Sequence, residues 1–142
     1  MSIRFINDHR DWRISLDKLL ELKNASVLDE HQRYLCGILR YGGDWRIKER
    51  ALEYAADIQK PTDDLLEDIC AVMTNRNTSI NLRILAADAL RVLVPRKMRR
   101  TMAYPVFRGT SVLRVMKDML KAPEVPALRE AITNALKAMK QE

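Results

Sequence analysis

The chain has 142 residues, enough to bury roughly two-thirds of its unfolded surface and to form one core without disulfides or metals. Its 47% hydrophobic and 31% charged residues exclude a disordered or fibrous chain, and no run approaches the roughly 18 apolar residues of a membrane span. The formal net charge of +6 favours anionic partners, and the stretch Met1 to Asp8 lacks the long apolar core of a secretory signal, so a cytoplasmic location is expected.

Apolar residues recur at spacings of three and four throughout, which predicts helices. A lone first helix over 9–23 carries Trp12, Leu16, Leu19 and Leu20. The next, over 28–40, carries Leu28, Leu35, Ile38 and Leu39, and Ser26 three residues before Asp29 resembles a capping box. Gly42-Gly43 is a turn, and 45–59 follows with Ile47, Ala51, Tyr54, Ala55 and Ile58. Thr62 after Pro61, leading Asp63 and Asp64, starts a helix over 63–74, where those two carboxylates and Glu67 and Asp68 belong on the solvent side. The helix over 80–94 carries Leu82, Ala86, Ala89, Leu90 and Leu93. After a Pro95–Pro105 insertion come helices over 111–121 and over 126–140, the latter opening with Pro126 at a position where proline is tolerated.

Trp12, Ile47 and Leu82 stand at successive intervals of 35 residues, and Leu128 lies 46 beyond Leu82. The excess of 11 equals the length of the insertion. A period in this range predicts a stacked-repeat, all-α architecture in one domain, 1–142. Its parts are a cap (9–23) and three hairpins, 28–59, 63–94 and 111–140. Asp11-Trp12-Arg13-Ile14 and Asp44-Trp45-Arg46-Ile47 are identical tetrapeptides 33 residues apart. They mark either a local duplication or two helix starts, each with an Asp cap and a Trp on the rim.

The run from Asp63-Asp64-Leu65-Leu66 to Ile80-Asn81-Leu82-Arg83-Ile84-Leu85-Ala86-Ala87-Asp88-Ala89-Leu90 resembles a HEAT repeat. In that family the second helix opens with an apolar residue followed by Arg, then carries small residues and a late Ala-Leu pair. Ala127-Leu128-Arg129 with Ala135-Leu136 resembles it too, as does Trp45-Arg46-Ile47 with Ala51-Leu52 more loosely. The family usually has an acidic residue in the turn before that Arg, bonding between repeats. This chain has Asn75 and Asn77 in one such turn and Pro123 and Glu124 in the other. The resemblance implies short α-solenoid architecture, with each second helix lining an inner surface on which Arg50, Glu53, Asp57, Asp88, Arg91, Arg129 and Thr133 are candidate contacts.

The other candidate site is the insertion, where Arg96, Lys97, Arg99 and Arg100 supply four of the six excess charges, with Tyr104 and Phe107 nearby. Such a cluster suits an acidic protein surface or phosphates, and also a solvated turn at the end of a helix. The expected function is therefore a non-enzymatic binding module or adaptor for a protein, with nucleic-acid binding through the insertion as the alternative. Met98, Met102, Met116, Met119 and Met139 around the last hairpin add a second copy of the chain as a further partner reading. Cys36 and Cys70, 34 residues apart, read as small buried side chains, and with His9 and His31 they form no zinc pattern. No nucleophile arrangement or phosphate loop appears, so no enzyme, cofactor or metal is expected, and the Trp-Asp-Arg grouping of HEAT-like base-excising enzymes has no counterpart.

Overall fold

The computed structural model describes residues 12–41, 43–107 and 109–140. The expected start of the first helix at residue 9, with Asp11, and Gly42 of the glycine pair lie outside them. The described residues form seven α-helices: α1 (Trp12–Asn24), α2 (Gln32–Tyr41), α3 (Trp45–Ala55), α4 (Asp63–Thr74), α5 (Ile80–Thr101), α6 (Val112–Lys121) and α7 (Pro126–Lys140). A 3-10 turn, Leu28–His31, precedes α2, and two short strands, β1 (Val106–Phe107) and β2 (Thr110–Ser111), precede α6.

The helices pack in a regular order. α1 contacts α3, α3 contacts α5 and α5 contacts α7, while α2 lies on α4. The sequential pairs α2/α3, α4/α5 and α6/α7 also pack together. The face that repeats in the sequence supplies these contacts: Ile47, Ala51, Ala55 and Ile58, then Leu82, Ala86, Leu90 and Leu93, then Leu128, Ile132, Leu136 and Met139 are all buried. α1 keeps the pattern less closely, since Leu20 is exposed and Leu22 is buried in its place. Of the methionines near the end of the chain, Met116 and Met139 are core and Met98 and Met119 are partly buried, while Met102 is exposed.

Local chemistry fixes most helix starts. Thr62, Ser79 and Ser111 accept backbone N–H bonds from Leu65, Leu82 and Leu113, and the Asp44 carboxylate accepts from the Arg46 N–H at 2.8 Å, so each covers a donor that the helix itself leaves open. The Ser26–Asp29 capping box does not form. Ser26 has φ 58°, the residue before the 3-10 turn is Val27, which has no polar side chain to cap with, and the Asp29 carboxylate accepts instead from the N–H groups of Gln59 and Lys60 at 2.8–3.2 Å.

The largest departure from expectation concerns 95–105. Proline lacks an N–H and usually ends a helix, yet α5 runs through buried Pro95 to Thr101. It stops at Met102, whose φ of 61° is left-handed and whose N–H bonds the Met98 carbonyl at 2.6 Å. Tertiary bonds carry the extra turns. Arg96 donates to the carbonyls of Ala56 and Ile58 at 2.7 and 2.6 Å, and the Lys97 Nζ lies 3.1 Å from the Asp63 carboxylate. The rest of the segment leads into an antiparallel hairpin in which Val106 pairs with Ser111 and Phe107 with Thr110. Gly109, at φ +80°, makes its tight turn. The all-α expectation holds, with these two short strands as a local departure among the described residues.

Candidate functional site

The basic segment splits in two. Arg96 and Lys97 point back into the molecule and close the α3–α4 connection, residues 56–62. Arg96 takes the two carbonyls at its start, and Lys97 reaches the Pro61 carbonyl as well as Asp63. From the opposite side Gln32 donates to the Lys60 carbonyl at 2.9 Å and accepts from the Thr62 N–H at 2.8 Å, beside the Asp29 bonds. Two cations thus take carbonyls of this loop while Asp29 and Gln32 take its amides. Arg99 and Arg100 are exposed at the end of α5. There Arg99, with Met98, Met102 and Tyr104, borders a cavity of about 300 Å³. Tyr104 is half-buried against the core. The four cations therefore do not form one projecting site.

The candidates on α3, on α5 and in the α3–α4 connection, where Asp57 lies because α3 ends at Ala55 and not at 59, are in reach of solvent. Arg50 and Glu53 pair at 3.2 Å, both exposed, and Asp57 and Arg91 are exposed. Asp88 is intermediate, and burial raises its carboxyl above the usual range, with Arg91 partly offsetting this. Thr133 is intermediate in exposure on α7. Arg129 is committed to structure, since its guanidinium donates to the Leu120 carbonyl at 2.8 Å. Arg83, at the same place in the preceding hairpin, donates to the Met73 carbonyl at 2.8 Å. α5 and α7 thereby each cover a carbonyl at the end of the partner helix.

Two polar clusters join residues that the sequence does not single out as partners. Glu124 lies 3.4 Å from both Arg83 and Arg76, so the turn before α7 carries the acidic link to the preceding hairpin. Asp68, expected on the solvent side, is 7% exposed and accepts two bonds from the Arg40 Nε at 2.9 and 3.0 Å. Cys36 hydrogen-bonds Asp68, and burial with this carboxylate pushes its thiol up to about 12, while burial and nearby Glu67 push Cys70 up to about 11. Both cysteines are free thiols.

A groove of about 710 Å³ lies where the hairpin and α6 stand off from α4, lined among others by Arg40, Tyr41, Glu67, Phe107 and Val115. α6 packs on α7 and β2, so the hairpin occupies ground that a closely packed α4/α6 pair would fill. Tyr41 at its rim is 56% exposed, and Val106 in the adjoining hairpin is 59% exposed.

The Trp-Arg pairs of the two identical tetrapeptides meet at the starts of α1 and α3. The Arg46 guanidinium lies 4.6 Å from the centre of the Trp12 ring and 5.5 Å from that of Trp45, and Arg13 lies 5.5 Å from Trp12. Trp12 is partly buried against the core, and Trp45 is 55% exposed. Sequence repetition flags these residues, but the spacing alone cannot reveal that the side chains interleave. Among the described residues no group of three or more His, Cys, Asp or Glu side chains is placed to hold a metal ion. No helix among them is long and apolar enough to cross a membrane. No family model, no curated protein and no solved structure matches the chain.

Proposed function

We propose that this chain is a short HEAT-like α-solenoid serving as a non-enzymatic, cytoplasmic binding module for a protein partner. The observation that carries the reading is the order of helix contacts. α1, α3, α5 and α7 follow one another, α2 and α4 follow beside them, and the same apolar face is buried in α3, α5 and α7. Such a series of hairpins buries its core between neighbours and leaves extended faces for recognition. The Glu124 link between Arg83 and the next turn supports the family resemblance at the place where its polar ladder belongs.

The partner is best accommodated by the groove between α4 and the hairpin. It combines an apolar floor at Phe107 and Val115 with a rim of Tyr41, Arg40 and Glu67, the mixture of an apolar centre and polar edge on which protein contacts rely. The mixed charges of Arg50, Glu53, Asp57, Asp88 and Arg91 offer a second, more polar face. Because Arg96 and Lys97 are used inside the fold, the exposed part of the basic segment is Arg99 and Arg100.

The test is affinity capture from lysate with and without nuclease, using wild type and Val115→Glu. A protein retained after nuclease treatment and lost with Val115→Glu supports the reading, provided the variant keeps its helicity. Capture that vanishes on nuclease treatment overturns it.

A further inference from the structure

The interleaved Trp and Arg side chains at the starts of α1 and α3 have a chemistry that the packing does not use up. Stacking covers the faces of a guanidinium and leaves its N–H edges free to meet anions. Among the described residues Arg13 has no carboxylate partner. Arg46 has one, Asp44, reached through Nε at a distance of 3.5 Å, and its side chain is 48% exposed. Lys48 adds a cation in the first turn of α3, against Asp44 and Glu49. Beyond Arg46 stands Trp45, more than half open to water.

We propose that this ladder is a contact site for single-stranded nucleic acid, with an unpaired base stacking on Trp45 and neighbouring phosphates meeting the edges of Arg46 and Arg13. Base stacking on an exposed aromatic is tolerant of sequence, and a flanking guanidinium adds both cation–π attraction and a phosphate contact. A duplex keeps its bases covered, which excludes it from the indole. An acidic protein surface would satisfy the arginines while leaving the indole to an unrelated apolar side chain, whereas one nucleotide unit supplies the flat ring and the anion together. The site is independent of the groove assigned to a protein partner.

The chain's two tryptophans, Trp12 and Trp45, are both in the ladder, so intrinsic fluorescence reports on it directly. The whole protein is titrated at about 50 mM salt with a short oligothymidylate, with the same sequence as a duplex, and with polyglutamate; binding of a fluorescein-labelled oligothymidylate is followed by anisotropy. The expected result is saturable quenching by the single strand, little by the other two, and a log affinity falling with log salt at about 0.7 per phosphate contact. Trp45→Ala and Arg46→Gln should each weaken the labelled strand roughly ten-fold, while Lys137→Gln, on the far helix, leaves it within about two-fold. Equal quenching by polyglutamate would reassign the site to acidic protein surfaces. Absence of quenching in the wild type, or unchanged affinity in folded Trp45→Ala, overturns the proposal.

Discussion

Glu124→Gln tests how far the hairpins depend on the buried charge between them. The Glu124 and Arg83 side chains are 4% and 5% exposed, so neither ion can turn to water when the other is lost. Breaking a buried pair generally costs about 3–5 kcal/mol. Two features reduce that here. The guanidinium–carboxylate distances are 3.4 Å, longer than the strongest charge-assisted bonds, and Arg83 keeps its 2.8 Å bond to the Met73 carbonyl. Arg76, 62% exposed, loses little because water replaces its partner. The expected cost is therefore about 2–3 kcal/mol, which for a domain of this size lowers the melting temperature by roughly 6–12 °C. Urea denaturation followed by circular dichroism should show a lower midpoint at unchanged slope. Arg83→Met combined with Glu124→Leu should recover part of the loss, since no buried ion is then left alone. A Glu124→Gln protein within about 0.5 kcal/mol of wild type would refute the reasoning, because a buried, singly paired guanidinium cannot be that tolerant.

Other substitutions probe the remaining contacts. Leu90→Ala and Ile132→Ala, each emptying a fully buried position, should cost about 2–5 kcal/mol in the same denaturation experiment. Arg96→Ser with Lys97→Ser should lower stability by about 1–3 kcal/mol by stripping bonds from the carbonyls of the α3–α4 connection. Arg100→Ser, at an exposed site, should stay within about 0.5 kcal/mol. The folded chain holds the Cys36 and Cys70 thiol protons up to about 12 and about 11, above the ordinary thiol value of 9.0. Between that value and those, the unfolded chain is the one that has lost protons, so stability should fall as pH rises above about 9. Cys36→Ser should flatten that decline, and alkylation of both thiols at neutral pH should be slow against free cysteine.

The helices and their buried faces were legible because periodicity reports burial directly. Leu82, Ala86, Leu90 and Leu93 could be placed without coordinates, and helix starts at Thr62 and Pro126 follow from rules a few residues in range. What was hidden depends on partners distant along the chain. Pro95 reads as a stop because a local rule cannot weigh the bonds that Arg96 makes with residues 38 and 40 positions earlier. Asp68 reads as a solvent carboxylate because nothing near it names Arg40, which is 28 residues away. Ser26 and Asp29 match a capping box in spacing, but Asp29 finds amides 30 and 31 residues on. The candidate surface suffers in the same way: the cationic cluster is visible in the sequence, whereas the division of its side chains between structure and solvent is not. The repeated tetrapeptide was visible too, and only folding reveals that the Trp-Arg pairs of its two copies touch.

The α3–α4 connection has a consequence for how the chain opens. Amides in an exposed loop normally exchange with solvent through small local fluctuations. Those of Gln59, Lys60 and Thr62 are instead held by Asp29 and Gln32, while Arg96 and Lys97 hold the carbonyls of the same loop from the far end of α5. Releasing these amides means parting the loop from the start of α2, and the Arg96 and Lys97 bonds tie the same loop to α5. In a regular array of repeats each unit could fray by itself; here the loop acts as a latch, so 28–101 should exchange its hydrogens as one cooperative unit, with the protection of a loop equal to that of the helices it joins.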